Sequence, residues 1–288
     1  MAVVNTNIAA SLAQASLMKN ERALGIAMEQ LSTGKKINSA GDNAAGLAIA
    51  TRMSSQIRGL DAAVRNASDA ISMVNTAEGA LDEITAMLQR MRELAVQAGT
   101  GTTASTDRTY LQSEFIALRT EIDRIADNTQ WNGRNILDGS AGASTGKSTV
   151  AFGIGQDGTA AQTLSTSFGN FNNTTGKLSG LASKVITGTT ITSAISMASK
   201  TITEIDVVIG DVSSQRATFG AVSNRLTHAV DNLTNVKTNA EAARSRILDT
   251  DYAAATSELA RTQIIQQAGT AMLAQANQLP QTVLALLQ

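Results

Sequence analysis

Few residue runs in this chain have spacing that could do chemistry. Residues 153–158, GIGQDG, match the G-x-G-x-x-G pattern through which backbone amides approach a dinucleotide pyrophosphate. That use needs a helix opening behind the glycines and an acidic side chain about twenty positions on. No amphipathic helix follows, and nothing acidic lies between Asp157 and Glu204. A glycine-rich hairpin is the better reading. AGASTGKST (141–149) ends like a phosphate loop, but Ala141 stands where the first glycine belongs and the strand-then-helix frame is missing. The one histidine, His228, has no nucleophile or metal partner beside it in NRLTHAVDNL. Asp249 and Asp251 form a D-x-D pair near Arg244 and Arg246, which suits surface ion pairs or contacts between subunits. With no cysteine there is neither a disulfide framework nor a thiolate zinc site. No catalytic, metal or cofactor site is predicted, and so no enzyme.

Partners can be narrowed in the same way. A net charge of -1 over 288 residues argues against nucleic acid, since phosphate binding needs clustered Lys and Arg. The first basic side chain is Lys19, so the opening stretch lacks the charged start of a secretory signal. Nothing approaches the run of about eighteen strongly apolar residues that a membrane span requires. No membrane insertion is expected.

The frame that would carry any function is helical. Alanine accounts for 47 residues, aromatic residues for 3%, and proline for one position. That composition suits long helices. From Asp42, a plausible N-cap, apolar or small residues recur in steps of four and three: Met53, Ile57, Leu60, Val64, Ala67, Ile71 and Val74. After one skip the pattern resumes through Ala77, Leu81, Ile84, Leu88, Met91 and Ala95. This is a coiled-coil seam. GTGTTAST (99–106) ends it, and Leu111, Phe115, Leu118, Ile122 and Ile125 open a second. A third runs from Ile191, Ile195 and Ala198 through Ile205, Val212, Phe219 and Leu226 to Ala240, with Arg216 and Ser223 at seam positions. Three seams in one chain are best buried against each other. The predicted fold is mainly α, an elongated antiparallel helical bundle.

Residues 139–190 differ. They hold 10 of the 22 glycines, 17 Ser or Thr and four charged side chains. Asn132-Gly133 and Asp157-Gly158 are hairpin-turn dipeptides, and Val150, Phe152 and Ile154 alternate like a half-buried strand. A hairpin or two is predicted there, too small for a core of its own.

The termini carry the functional signal. Neither 1–18 nor 262–288 contains a charged side chain. Ile265, Ala268, Met272, Ala276, Leu279, Val283 and Leu286 form an apolar stripe, with glutamines and asparagines on the other faces. Leu17, Leu24, Met28 and Leu31 form a shorter one. A solvated helix ordinarily has a charged outer face. These stripes are read as polymerisation seams, and helices covered by copies of themselves imply a heterologous, open assembly. Pro280, inside the last stripe, is expected to kink the helix or start a new turn.

At this point the residues resemble a family. LSTGKKINSAGDNAAGLAIATRM (31–53), RNASDAISMVNTAEGALDEI (65–84), LQRMRELAVQA (88–98) and EIDRIADNTQWNGRNIL (121–137) are similar to the N-terminal region of bacterial flagellins. FGAVSNRL (219–226), ARSRILDTDYAAATSELAR (243–261) and QIIQQAGTAMLAQANQLPQTVLALLQ (263–288) are similar to the C-terminal region. The resemblance implies that 1–42 and 245–288 pair in an inner tube, while 43–244 forms an outer-layer rod with 139–190 as its tip. It implies a short form without large outer domains, a subunit of the extracellular motility filament exported without a cleaved signal peptide. Its implied partners are copies of itself, the flagellar export apparatus and an export chaperone, the filament cap and hook-junction proteins, and host flagellin receptors. Arg90, Leu94 and Glu114 match positions sensed by an innate receptor. Val283, Leu286 and Leu287 match the segment that intracellular sensors read. The alternatives are a hook–filament junction protein and a secreted immune-modulating ligand or adhesin acting as a monomer.

Overall fold

A computed structural model describes residues 7–142, 148–155, 162–172, 176–188 and 190–285. Five helices dominate: α1 (Ile8–Thr33), α2 (Ala40–Ala98), α3 (Ser105–Asn128), α4 (Ile191–Leu248) and α5 (Tyr252–Ala285). Two antiparallel hairpins lie between α3 and α4. One joins β1 (Gln130–Trp131) to β2 (Arg134–Asn135), the other β3 (Thr149–Gly153) to β4 (Thr163–Ser167). The chain divides into two compact units, Met1–Ile57 with Thr238–Gln288, and Arg58–Lys237.

In the central unit the seams become a core. From Ala67 to Ala95 every residue of the α2 seam is buried except the half-buried Ile71. Phe115 and Ile122 of α3, and Ile205, Val212, Phe219 and Leu226 of α4, are fully buried in the same cluster. Three ion pairs link α2 to α4: Asp61 with Lys237 at 2.6 Å, Asp82 with Arg216 at 2.9 Å, and Arg92 with Asp206 at 2.8 Å. The two residue numbers in each pair add to the same value, as they must when two helices run side by side in opposite directions at equal pitch. Arg216 sits in the seam pattern because its long stem lies along the helix pair while its head reaches carboxylates at the edge. Exposed pairs of this kind contribute at most about 1 kcal/mol each, so their effect is on register more than on stability.

The start of α4 departs from the sequence pattern. Ile191 and Ile195 are exposed, whereas Ala194, Ala198 and Thr201 face inward. The helices approach closely there: a Cβ placed on Gly99 would lie 3.4 Å from the Cβ of Ala198. Small residues fit that gap and isoleucines do not.

The turn at Asn132-Gly133 forms as predicted, with positive φ at both residues, 50° and 74°. Along β3, Phe152 is buried, Val150 half-buried and Ala151 exposed. The 139–190 region makes no core of its own. It lays Phe168, Phe171, Leu178, Leu181 and Ile186, all fully buried, onto the helical cluster. Phe168 meets Phe219 at 5.1 Å between ring centroids, and Gln215 of α4 donates to the Ser167 carbonyl at 2.8 Å. Gly153 closes β3, and among the described residues the next strand is β4. Asp157 and Gly158 lie outside the described residues.

One buried charge was not foreseen. Arg108, in the first turn of α3, is 2% exposed. Its Nε donates to the Ala98 carbonyl at 3.1 Å and its Nη2 to the Thr100 carbonyl at 2.9 Å. A cation thus satisfies the carbonyl end of α2, where the helix dipole is negative.

In the terminal unit, the N-cap assignment to Asp42 is corrected. Asn43 has non-helical backbone (φ −164°, ψ 96°), and its Oδ1 accepts from the Gly46 amide at 2.8 Å. Asn43 therefore caps the long part of α2. Asp42 Oδ2 instead accepts from the amides of Asn38 and Ser39, at 3.1 and 2.9 Å. These bonds hold its carboxyl below the ordinary aspartate value, Ser39 contributing most. The other D-x-D prediction also shifts. Asp251 caps α5 by accepting from the Ala253 amide at 2.9 Å, and Asp249 accepts from the Ser245 hydroxyl at 2.6 Å. Short side chains two residues apart meet backbone and hydroxyl donors before they can reach a guanidinium.

Candidate functional site

α1 and α5 pack along each other, and of Ile265, Ala268, Met272 and Ala276 in the α5 stripe only Ala276 is buried. On α5 the residues turned toward α1 include Ala255, Thr262, Gly269 and Ala276, with Gln266 and Leu273 half-buried. Asn20, 8% exposed, donates from Nδ2 to the Thr262 carbonyl at 2.8 Å. Asn7 does the same to the Ala276 carbonyl at 2.8 Å. Between them, Leu17 fills the space left by Gly269, where an added Cβ would lie 2.7 Å from Leu17 Cδ2. The pair is held by small residues, amide bonds and half-buried leucines.

Several large apolar residues are left outside. Ile264, Ile265 and Met272 of α5 are 66%, 44% and 65% exposed. Ile8, Leu12, Met18, Ile26 and Met28 line the outward side of α1, each at least 46% exposed. The predicted seam residues therefore separate into two sets. Leu17, Leu24 and Leu31 are half-buried along the line of α1 that also holds the buried Asn20 and Ala27, whereas Met28, Ile265 and Met272 point away from it. Leu279 and Val283 belong to α5, which continues through Pro280 without interruption. Leu286 and Leu287 lie outside the described residues.

The receptor-matching positions also divide. Arg90 Nε donates to Glu114 Oε1 at 2.9 Å, and Arg90 Nη1 to Glu93 at 3.0 Å. Those bonds, Glu114 first, hold the guanidinium above its ordinary value. The structure thus joins Arg90 to Glu114 on an exposed surface. Leu94, matched with them by the resemblance, is fully buried instead. It follows Met91 by three residues on a helix face that is covered along its whole width.

Among the described residues no three His, Asp or Glu side chains converge as metal ligands, and no helix is long and apolar enough to cross a membrane. A cleft of about 280 Å³ lies between α2 and the hairpins, lined by Asn66, Asp69, Trp131, Arg134 and β3. It holds no nucleophile–base pair. The functional features are faces, and the class they define is a helical structural subunit.

Comparison with known proteins gives the family. The bacterial flagellin N-terminal helical region matches residues 4–142, and the bacterial flagellin C-terminal helical region matches residues 202–287. A flagellin of Halalkalibacterium halodurans is 43% identical over 99% of this chain and 100% of its own length. The flagellin of Bacillus subtilis is 42% identical over 99% of both. A solved Vibrio parahaemolyticus structure, described as a flagellar hook-associated protein, covers 72% of this chain and 100% of its own at 12% identity and a TM-score of 0.60, a likeness of fold alone. The chain belongs to the bacterial flagellin family, the structural subunits of the extracellular flagellar filament.

Proposed function

We propose that this chain polymerises helically into the hollow filament used for swimming, and that the outward faces of α1 and α5 are its cohesive surfaces. One observation carries this reading: Ile265 and Met272 lie exposed beside the line of small and polar residues, Thr262, Gly269 and Ala276, that takes the contact with α1. Exposed apolar surface contributes about 25 cal/mol per Å² when a neighbour covers it. From 262 on, α5 carries no charged side chain, so that stretch offers no desolvation penalty of buried ions against that gain. The inner-tube role of 1–42 and 245–288, and the outer-layer role of 43–244, belong to the same reading.

The test is Ile265→Glu with Met272→Glu. Both side chains are exposed in the subunit, so helicity and melting should stay near the parent while filament growth, followed by electron microscopy, is lost. Removal of 262–288 should leave a soluble, largely helical protein that does not polymerise. Normal filaments from either variant would overturn the proposal. The export apparatus, an export chaperone, the filament cap and hook-junction proteins are proposed partners, and export without a cleaved signal is part of the same reading.

A second role, ligand of an innate flagellin receptor, is favoured by the exposed Arg90–Glu114 pair. A hook–filament junction role would show as a chain that cannot elongate alone.

A further inference from the structure

The methionines are sorted by exposure. Of the nine in the chain, Met73 and Met91 are buried in the central unit at 6% and 0% exposure. Met53 and Met87 are half-buried. Met18, Met28 and Met272 are 54%, 56% and 65% exposed, and all three lie on the terminal helix pair, pointing outward. Met197, at 43%, is exposed on α4.

Methionine is among the residues a fold usually hides. Three sit here on the faces assigned to subunit contacts, beside Ile264, Ile265 and Ile26. Isoleucine and methionine are alike in hydrophobicity but not in reactivity. The thioether sulfur is a soft nucleophile, and its oxidation follows exposure.

We infer that Met18, Met28 and Met272 are oxidation sites of the free subunit, and that their conversion to sulfoxides stops polymerisation. The inference rests on the filament reading above. The co-reactant is hydrogen peroxide. A sulfur lone pair takes one peroxide oxygen, the S–O bond forms as the O–O bond breaks, and the second oxygen leaves as water. Sulfur is oxidised by two electrons and the peroxide reduced by two. The sulfoxide that results is polar and chiral, a strong acceptor on a face that must become dry. In the polymer the same sulfurs are covered, so assembly itself protects them. The subunit is vulnerable between folding and incorporation.

The experiment treats monomer and preformed filament with hydrogen peroxide and reads sulfoxide at each methionine by peptide mass mapping. Elongation is followed by light scattering and electron microscopy. In the monomer the three terminal methionines should convert several-fold faster than Met73 and Met91, and several-fold faster than in the filament. Oxidised monomer should lose elongation. A Met18→Leu, Met28→Leu, Met272→Leu variant, a volume-conserving change, should elongate after the same treatment at the rate of its own untreated sample. Equal oxidation of monomer and filament overturns the inference, as does elongation of fully oxidised parent. A leucine variant that peroxide slows as much as it slows the parent, each measured against its own untreated sample, also overturns it. These three results leave the filament reading standing, because untreated chain still elongates. Untreated chain that never elongates overturns both.

Discussion

Asn20 Nδ2 donates to the carbonyl oxygen of Thr262 at 2.8 Å, inside the contact between the first and last helices. The acceptor is a helix carbonyl with a second lone pair to offer, so the bond adds to the α5 ladder without breaking it. A polar side chain at such a position selects one alignment of two helices at some cost in stability. Asn20→Leu should therefore leave helix content unchanged while loosening register. The measurement is cross-linking between cysteines placed at Leu17 and Gly269, which is clean because the chain has no cysteine of its own. One dominant cross-link in the Asn20 background, and a weaker one with competing products after Asn20→Leu, is the expected outcome.

Arg108 predicts a larger effect on stability. Two carbonyls, of Ala98 and Thr100, depend on one buried guanidinium. Hydrogen bonds involving a charged group are worth about 1.5–3 kcal/mol each, and they are not additive. Arg108→Ala should lower the free energy of urea unfolding by about 2–3 kcal/mol. Arg108→Lys should recover only part, since an ammonium lacks the planar fork that meets two acceptors at once.

Arg90 and Leu94 separate recognition from stability. Arg90→Ala breaks exposed ion pairs and should leave the unfolding midpoint near the parent's, while a reporter assay for the innate receptor should lose signal if Arg90 is a contact. Leu94→Ala empties a fully buried site and should cost about 2–5 kcal/mol. A fall in receptor response with Leu94→Ala at unchanged melting temperature would contradict its burial.

Asp42 gives a pH dependence with a definite sign. Its folded pKa lies below the ordinary value, through the amides of Ser39 and Asn38. The stabilisation is therefore present above the unfolded aspartate pKa and is lost as pH falls through the lower folded value. Hydrogen exchange of the Asn38 and Ser39 amides should accelerate, beyond the intrinsic trend, in that acidic window. Asp42→Asn should make the acceleration independent of pH.

Much of the fold was legible because helical burial repeats. Any residue set spaced four and three along a helix shares a face, so Leu81, Ile84, Leu88 and Phe219 could be assigned to a core from spacing alone. Asn132-Gly133 was legible for a local reason, since a two-residue turn with positive φ restricts the residue types directly. The absence of charge from both chain ends likewise needed no coordinates.

Which face meets which partner was not legible. A one-dimensional pattern names a stripe but not its occupant. The α5 stripe of Ile265 and Met272 read as the most apolar face, yet Gly269 and Thr262 take the contact with α1 because small side chains let two backbones approach and let Asn20 reach a carbonyl. Ile191 and Ile195 lost their places to Ala194 and Thr201, while Ala198 kept its own, for the same steric reason. Nothing in the local sequence marks Arg108 as buried, because its acceptors come from the end of α2 and the loop after it. Sequence determined the helices, their lengths and their apolar rows, which follow from local geometry repeated along the chain. Only tertiary structure decided which rows are spent inside the subunit and which are left for a neighbour, because that choice depends on how closely two backbones can approach.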